Sequence, residues 1–276
     1  MRRVRPESGT GKMKPKVYSE WPVVERGEGT PVVFLHGYPL SHAMWEPQLE
    51  TLSGTGHVVL LDLPGYGLAG EWPVPDSLGG FAESVHRTLS GGLSAPAVVV
   101  GHSFGGYIAL ELFRSHPEDF RAIVLTNTRS EPDTPETREK RLATVRRLQD
   151  PGEGLDVEAT SRGLLAPATW EAAGPLVDTV RGMIRSVSSR TLIGSLRAIA
   201  GRSDLTPVLP TIGVPSLVMW GEADQLIPPA QSQSMTPRIP GGTGVGIPRA
   251  GHLPSLEAPE LFGRALRAFL DRVSRT

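Results

Sequence analysis

The chain runs to 276 residues with a formal net charge of -1, 39% hydrophobic and 21% charged residues, and no cysteine. That excludes disulfides, thiolate metal sites and a cysteine nucleophile, and it gives no electrostatic reason to expect nucleic acid or an anionic membrane surface as partner. No stretch reaches the roughly 20 apolar residues of a membrane span, and the first residues lack the apolar core of a signal peptide. The expectation is a cytoplasmic protein with one large apolar core.

Residues 1–15 are basic, rich in small residues and without apolar periodicity, which predicts a disordered tail or extended start, with Met13 as an alternative initiator. From Val17 a hairpin-like stretch passes through Val23-Val24 to a turn at Gly27–Gly29. Short apolar runs follow: Val32–Leu35, Val58–Leu61, Val98–Val100, Ile123–Leu125 and, much later, Leu217–Trp220. They lack polar alternation, as parallel strands buried on both faces do. Helical patterns over 43–53, 79–90, 104–115 and 258–273 alternate with them. The rhythm predicts an α/β fold, a mostly parallel sheet flanked by helices.

Between 129 and 205 the strands stop. Leu142, Val145 and Leu148 share one helical face, as do Leu176, Val180, Ile184 and Val187, and then Leu192, Leu196 and Ile199. The block opens on the proline-broken loop Glu131-Pro132-Asp133-Thr134-Pro135. It reads as a helical cap inserted into a core made of 16–128 and 206–276, over the strand ends where ligands bind in open α/β sheets. Arg138, Arg141, Arg146 and Arg147 on this block are read as a solvated helix face in preference to a lure for an anionic substrate.

Val98-Val99-Val100 runs straight into Gly101-His102-Ser103-Phe104-Gly105, and a helical pattern begins at once. A serine between two glycines, after a strand and before a helix, is the context in which the side chain is thrust out at a strained turn as a nucleophile. The competing reading makes Ser103 a helix N-cap only. The loop after the first strong strand, His36-Gly37-Tyr38-Pro39, supplies a candidate oxyanion donor in the Tyr38 amide, and the Phe104 amide is the other. His36, Gly37 and Trp45 are the candidate substrate-binding residues. For Trp45, core packing weighs equally. The side chains of Tyr38 and Phe104 are expected to make the acyl pocket largely apolar.

A serine needs a base, and the base needs an orienting acid. Of the seven histidines, His252 alone follows the nucleophile in a loop between the last strand and the C-terminal helix. The acid should leave the preceding strand, where Gly221-Glu222-Ala223-Asp224 offers two carboxylates. Asp224 is favoured and Glu222 is the alternative. Asp62, in Asp62-Leu63-Pro64-Gly65-Tyr66-Gly67, precedes the serine and is read as bracing its own loop. His36 and His102, at strand ends, are read as loop braces too.

These ordered motifs, with Trp45-Glu46-Pro47-Gln48, resemble the single-domain α/β-hydrolase superfamily with a helical cap, over about residues 18 to 273. The resemblance implies that fold and a triad of Ser103, Asp224 and His252 needing no cofactor. His36-Gly37-Tyr38-Pro39-Leu40 followed by Trp45 is similar to esterases, enol-lactonases and perhydrolases. Epoxide hydrolases and haloalkane dehalogenases carry aspartate where Ser103 stands. Gly67-Leu68-Ala69 departs where relatives often have serine. Hydrolysis of a carboxylic ester or lactone on a small, largely apolar substrate is the leading expectation. Perhydrolysis, C–C bond hydrolysis and amide hydrolysis use the same machinery, and a small-molecule receptor or non-hydrolytic cyclase is the reading from another class.

Overall fold

The computed structural model describes residues 16–18, 21–54 and 56–275. The expectation for residues 1–15 lies outside the described residues. β1 (Lys16–Tyr18) and β2 (Trp21–Arg26) pair antiparallel, as the hairpin-like pattern predicts. β3 (Pro31–Leu35), β4 (His57–Leu61), β5 (Ala97–His102), β6 (Phe120–Thr126), β7 (Ser216–Gly221) and β8 (Thr243–Ile247) complete one sheet in the order β1-β2-β4-β3-β5-β6-β7-β8. β2 meets β4 antiparallel, and every later pairing is parallel.

Helices α1 (Glu46–Thr51), α2 (Leu78–Gly92) and α3 (Phe104–Ser115) follow β3, β4 and β5. Five more, α4 (Pro135–Leu148), α5 (Val157–Leu164), α6 (Pro167–Glu171), α7 (Pro175–Arg185) and α8 (Ser189–Ala200), lie between β6 and β7. Then come α9 (Pro229–Gln233), α10 (Pro254–Glu257) and α11 (Pro259–Val273). No helix among the described residues is long and apolar enough to cross a membrane.

Successive strand residues point to opposite faces, so each apolar run feeds two cores. Val33, Leu35, Val59, Leu61 and Val99 join the core that α2 and α3 cover. Val32, Phe34, Val58, Leu60 and Val98 join the one closed by α1 and α11. This two-sided burial is why the runs show no polar alternation.

The α4–α8 segment is helical, as its periodicity predicts. Thr134 caps α4 by accepting from the Thr137 amide, with Pro135 in the first turn. Leu192, Leu196 and Ile199 are all buried. On α7 the buried stripe is Val177, Val180, Met183 and Ile184, one step off the predicted face, and Leu176 is left half-buried. The segment touches loops at the strands' carboxyl ends. Thr191 Oγ1 donates to the Gly65 carbonyl at 3.0 Å, the Tyr66 and Ser195 hydroxyls are 2.7 Å apart, and the His252 amide donates to the Leu164 carbonyl at 3.1 Å. The arginines of α4 are engaged: Arg141 with Asp133, Arg146 with Glu139, Arg147 with Glu153, and Arg138 with the Ala200 carbonyl.

Candidate active site

The carboxyl ends of β3, β5, β6, β7 and β8 lie along one edge of the parallel sheet, and the candidate residues stand just beyond them. Ser103, between β5 and α3, has φ 50° and ψ -111°. Positive φ at a residue with a Cβ is costly and persists only where the surroundings hold it. A Cβ on Gly101 would sit 2.5 Å from the Gly105 carbonyl oxygen, and one on Gly105 would collide with the Leu35 carbonyl. Glycine at both places lets the turn close. The Ser103 amide donates to the Thr126 carbonyl at 3.0 Å, and Thr128 Oγ1 donates to the Ser103 carbonyl at 2.9 Å. The serine side chain makes no capping hydrogen bond to α3, so the N-cap reading does not describe it. Its residual exposure is 8%.

Asp224 and His252 meet. Asp224 Oδ2 lies 2.8 Å from His252 Nδ1 and accepts from Asn127 Nδ2 at 2.7 Å, while Oδ1 accepts the Leu226 and Ile227 amides at 2.9 and 3.0 Å. Burial alone would raise the Asp224 pKa. The charge and hydrogen bond of His252, with the bonds from Asn127 and Ile227, outweigh it and hold the carboxyl below its ordinary value. The carboxylate therefore fixes the imidazole with Nδ1 protonated and Nε2 able to accept. That Nε2 is buried and has no hydrogen-bond partner. Glu222, the alternative acid, is exposed and does not reach His252.

Two residues here were not anticipated. Asn127, one step past β6 with φ 46°, donates to both Asp224 and the Gly251 carbonyl, the latter at 3.2 Å. Its signal was a polar side chain just past a strand's carboxyl end, of a type that tolerates left-handed backbone. Glu257 in α10 accepts from the Gly251 and Leu253 amides, at 2.9 and 3.2 Å, on either side of His252. Its other oxygen accepts from the Ala166 amide and Thr169 Oγ1, both at 2.8 Å. One carboxylate thus ties the His252 loop to the α5–α6 junction. Glu257→Ala strips the acceptor from three amides, and chemical denaturation is expected to show a loss of about 2–4 kcal/mol. Glu257→Gln, which keeps one acceptor oxygen, is expected to lose less.

Gly37 brings the β3 loop against the serine turn: a Cβ there would sit 2.6 Å from His102 Cδ2 and 3.4 Å from Ser103 Cβ. Among the described residues the Tyr38 amide donates to no protein acceptor. Phe104 is the first residue of α3, so its amide has no acceptor one turn earlier in the helix. The Phe104 amide follows Ser103 directly at the α3 N-terminus, where the helix dipole favours negative charge. The Phe104 side chain, expected near the site, packs instead edge-on to Phe81 in the α2–α3 core, with ring centroids 5.0 Å apart.

For two candidate substrate-binding side chains the structure fits the packing or bracing reading instead. Trp45 is fully buried between Phe34 and Phe262, at 5.0 and 5.8 Å between ring centroids, so it is core. His36 is also fully buried. Its Nδ1 donates to the Gly37 carbonyl at 3.0 Å and its Nε2 accepts the Leu63 amide at 3.0 Å, which leaves neither nitrogen for a substrate. Burial lowers its pKa, in keeping with a neutral brace. His102 is buried with both nitrogens unpartnered, and burial together with the charge of His252 pushes its pKa well down.

Asp62 braces its loop. It accepts from the His42 amide at 2.7 Å, the Leu68 amide at 2.7 Å and His42 Nδ1 at 2.6 Å. Burial opposes both charges, but the hydrogen bond and charge of each partner outweigh it, so Asp62 is lowered and His42 raised. The lowered Asp62 contributes stability above its unfolded value, lost as pH falls through the folded one. The raised His42 contributes fully below its unfolded value, about 6.5, and that share is lost as pH rises through the folded one. Asp62→Asn is expected to cost about 2–4 kcal/mol at pH 6. The gap in Tm to the parent chain should narrow as pH climbs through the raised His42 value.

Comparison with known proteins agrees with the fold. Residues 30–259 match the family model described as the alpha/beta hydrolase fold. The chain is 28% identical to (E)-2-((N-methylformamido)methylene)succinate hydrolase of Acinetobacter baylyi, over 90% of this chain and 92% of that one. It is 28% identical to a pimeloyl-[acyl-carrier protein] methyl ester esterase of Aeromonas hydrophila, over 90% and 98%. Among solved structures, a thermophilic esterase from Thermogutta terrifontis with malate bound superposes with a TM-score of 0.87 at 30% identity, covering 95% of this chain and 99% of that one.

Proposed function

The chain belongs to the α/β-hydrolase fold family, and from that premise we propose that it hydrolyses a carboxylic ester through an acyl-enzyme on Ser103. His252 takes the serine proton as Oγ attacks the carbonyl, and the Tyr38 and Phe104 amides hold the oxyanion that forms. The alcohol leaves with that proton. His252 then takes a proton from water, which releases the acid and restores the serine. Asp224 stays ionised throughout and holds the ring in one tautomer. The α4–α8 segment serves as a cap that screens the acyl group from bulk water.

One observation carries this reading. Asp224 fixes His252 through Nδ1 and leaves Nε2 buried and unpartnered, at the sheet edge where Ser103 is held in a strained turn. A receptor or cyclase would have no use for an activated hydroxyl, so labelling by a fluorophosphonate separates the classes. Stoichiometric labelling that Ser103→Ala and His252→Ala both remove is the expected result. No labelling under conditions that label a known serine esterase would sink the proposal. The methyl ester esterase relative and the esterase neighbour support an ester as substrate.

A further inference from the structure

Tyr38 presents two polar groups. Its amide is a candidate oxyanion donor, and its side chain runs from the loop beside Ser103 into the α4–α8 segment, where the ring packs with Val145, Leu148, Leu192 and Leu196. The hydroxyl at its tip is buried and has no hydrogen-bond partner among the described residues. Phenylalanine would fill the same space without an unpaired hydroxyl, whose desolvation is costly when it is left unsatisfied.

The neighbourhood offers nothing to remove that cost. The Tyr66 hydroxyl is engaged with Ser195. Arg141 is paired with Asp133, and Arg147 with Glu153 and the Gly154 carbonyl. A trapped water needs two to four polar partners, and on the α4–α8 side the ring meets only the aliphatic residues Val145, Leu148, Leu192 and Leu196 of that cluster. Burial raises the hydroxyl's pKa, with Arg141 and Arg147 only partly opposing it, so the group stays a neutral donor.

We propose that the Tyr38 hydroxyl is a specificity subsite, donating to a second, uncharged oxygen that the ester carries beyond an apolar segment. The acceptor is a carbonyl, of a ketone or a second ester. A carboxylate does not suit the place, because one buried hydroxyl cannot replace its hydration. The reading of Ser103 as an esterase nucleophile supplies which end of the ligand reacts. The subsite rests on it only to that extent.

The test pairs esters of matched chain length: methyl levulinate against methyl pentanoate, and dimethyl adipate against methyl octanoate. In at least one pair the oxygen-bearing member is expected to show a kcat/KM about tenfold higher, the ratio one good hydrogen bond supplies. Tyr38→Phe is expected to collapse that ratio toward one and to raise Tm by about 2–4 °C, because an unpaired hydroxyl leaves the interior. A ratio that survives Tyr38→Phe, a fall in Tm, or stronger selection for monomethyl adipate than for dimethyl adipate overturns the proposal. The same ligand pairs are titrated by calorimetry against Ser103→Ala, with and without Tyr38→Phe. If the parent chain cleaves none of these esters, the esterase reading fails on them, yet the ratio of Kd values still decides the subsite. Equal Kd values within both pairs count against it.

Discussion

Ser103→Ala is expected to lower ester turnover by about 10⁴-fold or more, with the remainder set by binding and the oxyanion donors alone. Its Tm should stay within about a degree of the parent chain, because alanine meets the same resistance at φ 50° and the serine hydroxyl caps nothing. Ser103→Gly makes the complementary case. It removes the same hydroxyl and also the Cβ that positive φ disfavours, so it should be as inactive and more stable by about 1 kcal/mol. Steady-state kinetics and thermal denaturation of the two variants separate chemistry from strain. If Ser103→Ala kept a tenth of the activity, the nucleophile would have to be sought elsewhere.

Asp224→Asn is expected to come next in severity, at about 10³–10⁴-fold in kcat. The Leu226 and Ile227 amides demand an oxygen at Oδ1. The asparagine nitrogen is therefore turned toward His252 and Asn127, where both partners already donate. His252 then carries its proton on Nε2, the atom that must accept from the serine. A stability loss of about 2–4 kcal/mol accompanies this, since the Asn127 N–H that Asp224 accepted is left facing another donor while the bond to the Gly251 carbonyl remains. The pH dependence has a definite sign. The Asp224 pKa is lowered in the folded chain, so its contribution is present above the unfolded value and disappears as pH falls through the folded one. Asp224→Asn should lack that acid-side decline, which urea denaturation across a pH series would register.

What was legible from the sequence was whatever depended on local order along the chain. A strand, a glycine-flanked serine and a helix in succession determine the turn at Ser103. Asp224 and His252, which the fold brings together, are legible as candidates because each stands shortly past the end of an apolar run or ahead of the last helix. Side-chain direction was not legible, because partners far off in the chain settle it. His36 is turned by Leu63, and Trp45 by Phe262, so both spacings suited a substrate pocket equally well. β8 has no apolar run to announce it. Its Thr243-Gly244-Val245-Gly246-Ile247 carries two glycines and lies at the sheet edge with its first residues exposed. Asn127 and Glu257 looked like ordinary loop and helix-end residues because their partners, Asp224 and the Ala166 amide, are about 90 or more positions away.

The central claim is a covalent one, so it is tested by weighing the protein during turnover. A methyl ester that the chain cleaves is mixed with it, acid-quenched within milliseconds to seconds, and analysed by intact mass and by peptide mapping. The expected result is a transient gain equal to the acyl group, confined to the peptide holding Ser103, absent in Ser103→Ala and slow to form in Asp224→Asn. Turnover with no adduct at any quench time, or an adduct on another residue, would contradict the assignment of Ser103 as the nucleophile.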